Sequence, residues 1–254
     1  MFTGLLIIAI AGFLGVLSHR RSRLENKIYK NVPLDDWLMA FALPISLYIG
    51  WFFVVKNIIS RPLIEIFPLS DFDIFALTIL FMVYGFVGNG IHFTGKILWR
   101  HMKNHQHTMA YKINEIFHGK LSHYLIYLNG IFIFFLMAVL ELNHPLGWDI
   151  SDFLGIIAIL GIIFGYSASR AIFYTNEWFG GYNKPLFSIS TIIIGVLIGL
   201  DIYYHLDYSS YPVYLFVTSM IISFASSFVL RQFFIFIKLG NKRRLRFVAK
   251  MFSV

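Results

Sequence analysis

Seven long apolar stretches determine what this chain can fold into. A helix needs about 20 mostly apolar residues to cross the hydrocarbon core of a bilayer. Stretches that approach or reach this length lie near residues 2–17, 35–55, 72–96, 121–142, 152–174, 186–205 and 212–237. The pattern predicts an all-α polytopic membrane protein, a bundle of about seven transmembrane helices. We expect one integral-membrane domain over residues 1–254, with no soluble domain.

The composition of the chain excludes an ordinary soluble fold. Of the 254 residues, 58% are hydrophobic and 13% are charged, and the mean hydropathy is +0.71. A soluble domain is about 45–50% apolar and about 25% charged. A soluble core of this size has no room for so much apolar surface. Cysteine is absent, which excludes disulfides, thiolate metal sites and cysteine nucleophiles.

The first apolar stretch, near residues 2–17, does not have the charge pattern of a secretory signal peptide. It has no basic residue before it and a basic run after it, which is the reverse of the order in a signal peptide. We therefore expect it to remain in the protein as a short first span.

The basic residues predict the orientation of the spans, because cytoplasmic loops carry an excess of Lys and Arg. Four segments at every second connection hold 18 of the 21 Lys and Arg residues, and the last of them is the C-terminal tail beyond residue 237. We expect the N-terminus outside and the tail in the cytoplasm, across the plasma (cell inner) membrane. The net charge of +8 then indicates anionic lipid headgroups as partners rather than nucleic acid.

Small residues recur every four positions in the last three spans. Gly161 and Gly165 form one such pair, and Gly195 and Gly199 form another. Small residues at this spacing let helix backbones approach closely in lipid. We expect both pairs to pack inside the bundle rather than at a dimer face.

Histidines are concentrated between the third and fourth spans, where six of the nine lie between residues 92 and 123. The topology brings His92, at the end of the third span, to the same depth as His118 and His123, at the start of the fourth. Asn89, His92 and Lys96 share one helical face because they are three and four residues apart. The sequence therefore predicts a polar cluster at the cytoplasmic interface.

This cluster has the residue types of a metal site. Neutral imidazole with a carboxylate suits Zn, Fe or Mn, and we predict His92, His118 and His123 as ligands, with Glu115 as a further ligand or as a catalytic base. A metal-bound water becomes a nucleophile near neutral pH. At a membrane interface the substrate would be lipid-like, so the sequence favours a metal-dependent membrane enzyme. Polar packing, or a path for protons or substrate, are the alternatives for these residues.

A second polar layer lies at the predicted outer ends of the spans, where Glu141 and Asp201 end the fourth and sixth stretches. If they are neighbours, they form an external cation or proton site; otherwise they contact headgroups. A small transporter is the first alternative function, and it predicts that Asn89, Lys96, Glu141 and Asp201 face one common cavity. A non-catalytic scaffold subunit is the second.

Overall fold

The computed structural model describes residues 1–21, 23–172, 183–240 and 243–244 of the chain. Each predicted span corresponds to one long helix. They are α1 (Phe2–Arg21), α2 (Leu34–Ile59), α3 (Asp71–Met102), α4 (Met109–Leu142), α5 (Leu154–Ile172), α6 (Asn183–Tyr204) and α7 (Pro212–Lys238). Lys242, Arg246 and Lys250 of the predicted basic tail lie outside the described residues.

Six of these helices, α2 to α7, are long and apolar enough to cross a membrane. The prediction of a helical, membrane-type protein is thereby confirmed. The apolar part of α1, Phe2–Gly15, is shorter, as the first apolar stretch of the sequence indicated.

Two helices each contain one π-helical segment, Leu38–Ala42 in α2 and Ile116–Leu121 in α4. Such segments are rare and are often found at functional sites. A short antiparallel hairpin of β1 (Ile28–Tyr29) and β2 (Val32–Pro33) precedes α2. Lys30 and Asn31 form its turn with φ of 49° and 62°, as a two-residue hairpin turn requires.

The predicted loop between the third and fourth spans, residues 97–120, is mostly helical. Helix α3 continues to Met102, and α4 begins at Met109 after a 3-10 turn at Lys103–His105. The Thr108 Oγ1 caps α4 by accepting a hydrogen bond from the Tyr111 backbone N–H at 3.3 Å. The apolar pattern ends before the helices do, because polar residues carry no penalty on a helix beyond the hydrocarbon.

Consecutive long helices run in opposite directions. Met1, before α1, contacts Arg61, after α2, and Asp71, at the start of α3, contacts His144, after α4. We call this the arginine end of the bundle. The opposite end, where His92, His118 and His123 lie, is the histidine end.

The helices form a ring with one weak joint. Helix α1 packs on α2 and α5, α5 packs on α7, α7 packs on α4, and α4 packs on α3. Helix α6 lies outside the ring against α7 and α4. Helices α2 and α3 therefore stand at the two ends of the series, and they make no extensive contact with each other.

Glycines set the closest helix contacts. A Cβ at Gly161 or Gly165 would overlap the backbone carbonyls of Phe216 and Met220, respectively, so this pair packs α5 on α7 as expected. The expectation is wrong for Gly195 and Gly199 of α6. Among the described residues, a Cβ at either would meet no atom within 4 Å, because α6 lies outside the ring and turns this pair away from its neighbours.

Candidate functional site

Three imidazole rings meet at the histidine end. The centroid of His92 on α3 lies 4.8 Å from that of His118 and 4.6 Å from that of His123, both on α4. The centroids of His118 and His123 are 6.2 Å apart. The structure thus brings together the three histidines that the sequence predicted as one cluster.

Glycines of α3 bring the two helices close enough for this contact. A Cβ at Gly95 would lie 2.7 Å from the Cβ of His118, and one at Gly88 would lie 2.7 Å from the Cβ of Leu125. The π-helical segment Ile116–Leu121 contains His118 and changes the rotation of α4 between His118 and His123. The glycines and the π-helical segment thus position the imidazole rings by setting where the helix backbones lie.

Hydrogen bonds define the tautomer of His123. The His123 Nδ1 lies 2.7 Å from the carbonyl oxygen of Gly119. A carbonyl only accepts, so Nδ1 carries a hydrogen, and in the neutral ring Nε2 is the acceptor nitrogen. The Ser122 hydroxyl donates to the carbonyl of His118, and its oxygen lies 3.4 Å from the His92 Nδ1. The geometry therefore favours a hydrogen on His92 Nδ1 as well.

A cavity of about 310 Å³ lies inside the ring of helices. Its wall is mostly apolar and aromatic, with residues from α1, α2, α3, α4, α5 and α7, among them Leu43, Leu47, Met82, Ile126, Phe134, Phe164 and Phe224. Asn89, His92 and His123 supply polar groups to the wall. The Asn89 amide donates to the carbonyl of Ala40 at 2.7 Å, and Ala40 belongs to the π-helical segment of α2. Both π-helical segments therefore adjoin the polar part of the cavity.

Lys96 does not line this cavity. It forms ion pairs with Asp36 and, at 3.8 Å, with Asp35, both of which are buried. The Arg100 Nη2 lies 3.0 Å from the same Asp36 carboxylate. Asp35 and Asp36 were not among the site residues predicted from the sequence. The sequence signal for them was two adjacent acidic residues at the start of an apolar stretch. A basic segment precedes that stretch.

Glu141 and Asp201 do not form one site. The Glu141 carboxylate accepts from Arg61 Nη1 at 2.8 Å and from the Tyr214 backbone N–H at 2.7 Å. Asp201 accepts from the Tyr208 hydroxyl at 2.8 Å. The structure therefore does not bring the two carboxylates together, and each is held by its own hydrogen bonds. Burial, together with the Asp201 carboxylate, raises the pKa of Tyr208 to about 12.

The arginine end holds a buried network that was not predicted from the sequence. The Arg61 Nη1 donates to the carbonyl of His144 at 3.1 Å, and Nη2 donates to the Asn57 amide oxygen at 2.9 Å. The His144 ring contacts the Arg61 carbonyl at 3.1 Å and the Asp71 carboxylate at 2.9 Å. The sequence signal for this network was Glu141 at the end of an apolar stretch, with His144 three positions later.

Two functional expectations lose support in the described part of the chain. No group of three or more His, Asp or Glu side chains there has the arrangement to hold a metal ion, and Glu115 is exposed and does not line the cavity. Of the four residues that the transporter hypothesis placed in one cavity, Asn89 lines it, whereas Lys96, Glu141 and Asp201 do not. Those three side chains have partners elsewhere in the structure.

The candidate site is therefore the cavity together with its polar wall at Asn89, His92 and His123. Comparison of the chain with protein families, curated proteins and solved structures gives no match.

Proposed function

We propose that this chain is an integral-membrane protein that binds a lipid-like molecule in the central cavity, with the polar group of that molecule against Asn89, His92 and His123. One observation carries the proposal. The cavity is apolar over most of its wall and has two imidazoles and an amide in it. Small-molecule sites commonly combine an apolar wall with a few polar groups that fix the ligand's orientation.

The volume of the cavity favours a ligand with a single chain. At about 310 Å³, it lies at the lower end of the range of about 300–1,000 Å³ for ligand pockets. A fatty acid or a comparable single-chain amphiphile suits this space. The imidazoles supply both hydrogen-bond donors and acceptors for the polar group of such a molecule.

The histidines also support a catalytic role. Imidazole transfers protons near neutral pH, and a positioned histidine is the most common general acid or base. We favour an enzyme that acts on the bound amphiphile, with His92 and His123 in contact with its polar group.

The topology that accompanies this proposal has seven spans, with the N-terminus outside and the histidine end in the cytoplasm. The concentration of basic residues near the histidine end supports this orientation, and exposed Lys103 and Lys112 are placed to contact anionic headgroups there. The polar group of the ligand would then lie at the cytoplasmic side.

Photoaffinity labelling tests the binding proposal. Protein in phosphatidylcholine vesicles would be incubated with palmitate carrying a diazirine on its chain, irradiated, and digested for mass spectrometry. We expect label on the cavity wall, for example at Leu47, Met82 or Phe134, and less label in His92→Gln and His123→Gln. His101→Gln is the matched control because His101 is exposed and away from the cavity wall. Label spread evenly over the lipid-facing surface, without enrichment in the cavity, would exclude the proposal.

A metal-dependent form of the same enzyme is the second candidate, and its one support is that the rings of His92, His118 and His123 lie together. Their arrangement in the described structure is not that of a metal site, so Zn, Fe or Mn would bind only after the rings reorient. Metal analysis of the purified protein by mass spectrometry tests this candidate. It requires a stoichiometric metal that His118→Ala abolishes and His105→Ala retains. Wild-type protein without stoichiometric metal would exclude it.

A further inference from the structure

We propose that the ligand enters the cavity sideways from the lipid, through an opening between α2 and α3 bordered by Tyr48 and Phe86. This inference rests on the proposed function, since it concerns the route to the same cavity. It commits to a ligand that is already dissolved in the bilayer.

The first support is the order of helices around the cavity. Each neighbouring pair in the series α2, α1, α5, α7, α4 and α3 is closely packed, but α2 and α3 at its two ends are not. Both helices contribute residues to the cavity wall. The joint between them is therefore the place where the wall is least closed.

The second support is that α2 and α3 are joined mainly at their ends. At the histidine end, the Trp37 and Phe93 rings lie 5.4 Å apart, and Asp36 pairs with Arg100. At the arginine end, His144 contacts both the Arg61 carbonyl and the Asp71 carboxylate. The Asn89 amide also donates to the Ala40 carbonyl one turn from Phe86. These connections hold the two helices at a set spacing, and beyond them the two helices are not closely packed.

The third support comes from two residues at the middle of this joint. Tyr48 on α2 and Phe86 on α3 both line the cavity, yet they are 46% and 53% exposed. A side chain that belongs both to the cavity wall and to the outer surface lies at a mouth. Trp51 also lines the cavity and stacks on Tyr48 with centroids 5.9 Å apart, so aromatic rings frame one side of the mouth.

The side chains around this mouth favour entry of the ligand from the lipid over entry from water. Its bordering side chains are aromatic, and a bilayer would place hydrocarbon against them. A single-chain amphiphile would then pass from lipid to cavity without exposing its chain to water, which avoids the unfavourable hydration of each methylene group. An opening toward water would impose that cost.

The absence of cysteine from the sequence permits a direct test. Tyr48→Cys and Phe86→Cys would be reconstituted in phosphatidylcholine vesicles and modified with a bulky pyrene maleimide after folding. Phe53→Cys and Val87→Cys are matched controls on the same helices, because both native residues are about half exposed and neither lines the cavity. The unmodified portion of each sample controls for the substitution itself.

The rate at which the diazirine-bearing palmitate reaches the cavity is the measured quantity. Modification at position 48 or 86 is expected to slow labelling of the cavity wall about tenfold or more, because the attached pyrene would block the opening through which palmitate enters. The same modification at position 53 or 87 should leave the rate within about twofold. Palmitate loaded before modification should be retained and should transfer slowly to acceptor vesicles.

The outcomes separate the two proposals. If unmodified protein shows no enrichment of label in the cavity, the proposed function fails, and the inference fails with it. If the cavity is labelled but modification at positions 48 and 86 leaves uptake unchanged, the lateral opening alone is wrong. Displacement of preloaded palmitate by the maleimide would also overturn the lateral opening. In that case the attached group would occupy the binding cavity and not the opening that leads to it.

Discussion

Arg61 and Glu141 form an ion pair inside the arginine end of the bundle, with Nη1 and Oε1 2.8 Å apart and side chains that are 3% and 0% exposed. The second carboxylate oxygen accepts from the Tyr214 backbone N–H. The pair thus joins the segment after α2 to the end of α4 and the start of α7. Removing one partner of a buried ion pair leaves the other charge without compensation.

Glu141→Ala is therefore expected to destabilise the protein by about 3–5 kcal/mol. Thermal unfolding in detergent, followed by circular dichroism, measures the loss. The double variant Arg61→Met with Glu141→Leu removes both charges and should be more stable than Glu141→Ala alone, because apolar residues of similar volume often replace a buried pair at little cost. Equal losses in the single and double variants would contradict the role assigned to the charge.

The two glycine pairs predict opposite effects of the same substitution. In Gly165→Ala the new methyl group would overlap the Met220 carbonyl, so α5 and α7 must separate, at a cost of about 1–3 kcal/mol. In Gly199→Ala the new methyl group would meet no atom of the described residues within 4 Å, and the substitution should stabilise α6 by about 0.5–1 kcal/mol. Unfolding midpoints of both variants in the same detergent give the comparison. A loss of stability in Gly199→Ala would show that α6 has a neighbour on that face.

The sequence predicts the long helices because apolar run length is a local property. All seven predicted stretches coincide with a helix, and most differences are at the ends. The extension of α3 to Met102 and the start of α4 at Met109 were missed. Polar residues such as His101 and Lys112 remain compatible with a helix once the chain leaves the hydrocarbon, so hydropathy alone does not mark the helix ends.

The candidate site was predictable only in part. Depth and direction of the spans sufficed to place His92 near His118 and His123. The partners of Lys96 and Glu141 were not predictable, because Asp36 and Arg61 lie 60 and 80 positions away in the sequence and meet them only through helix packing. The cavity depends on six helices together, and no single stretch of sequence carries a signal for it.

The folding of the first turns of α2 is predicted to depend on the buried Asp36. Its carboxylate pairs with Lys96 and Arg100 of α3, so Asp36→Asn should release the first turns of α2 and cost about 3–5 kcal/mol. Hydrogen–deuterium exchange should rise in residues 34–42. Asp152→Asn, at an exposed position, is the control and should leave exchange in that segment unchanged. Unaltered protection of residues 34–42 in Asp36→Asn would contradict this assignment.

Tyr208 predicts a loss of stability at high pH. Burial, and then the hydrogen bond to Asp201, raises its pKa from the ordinary value of 10.0 to about 12, so the folded state favours the neutral phenol. The resulting stabilisation is fully present below pH 10 and is lost as the pH rises through about 12. Titration of ¹³C-labelled tyrosine by NMR measures this pKa, with Tyr208→Phe identifying the signal. Asp201→Asn should lower the pKa, and an unchanged value would contradict the contact.

The proposed orientation predicts that the two ends of the bundle are accessible from opposite sides of the membrane. His107 near the histidine end and Asp149 near the arginine end are both exposed, and the chain has no cysteine. His107→Cys in intact cells should react with a membrane-impermeant maleimide only after the membrane is opened, whereas Asp149→Cys should react directly. The physical reason is the excess of Lys and Arg on the cytoplasmic side of membrane proteins. Direct reaction at position 107 with protection at position 149 would show the opposite orientation. The polar group of the ligand would then lie at the outer face.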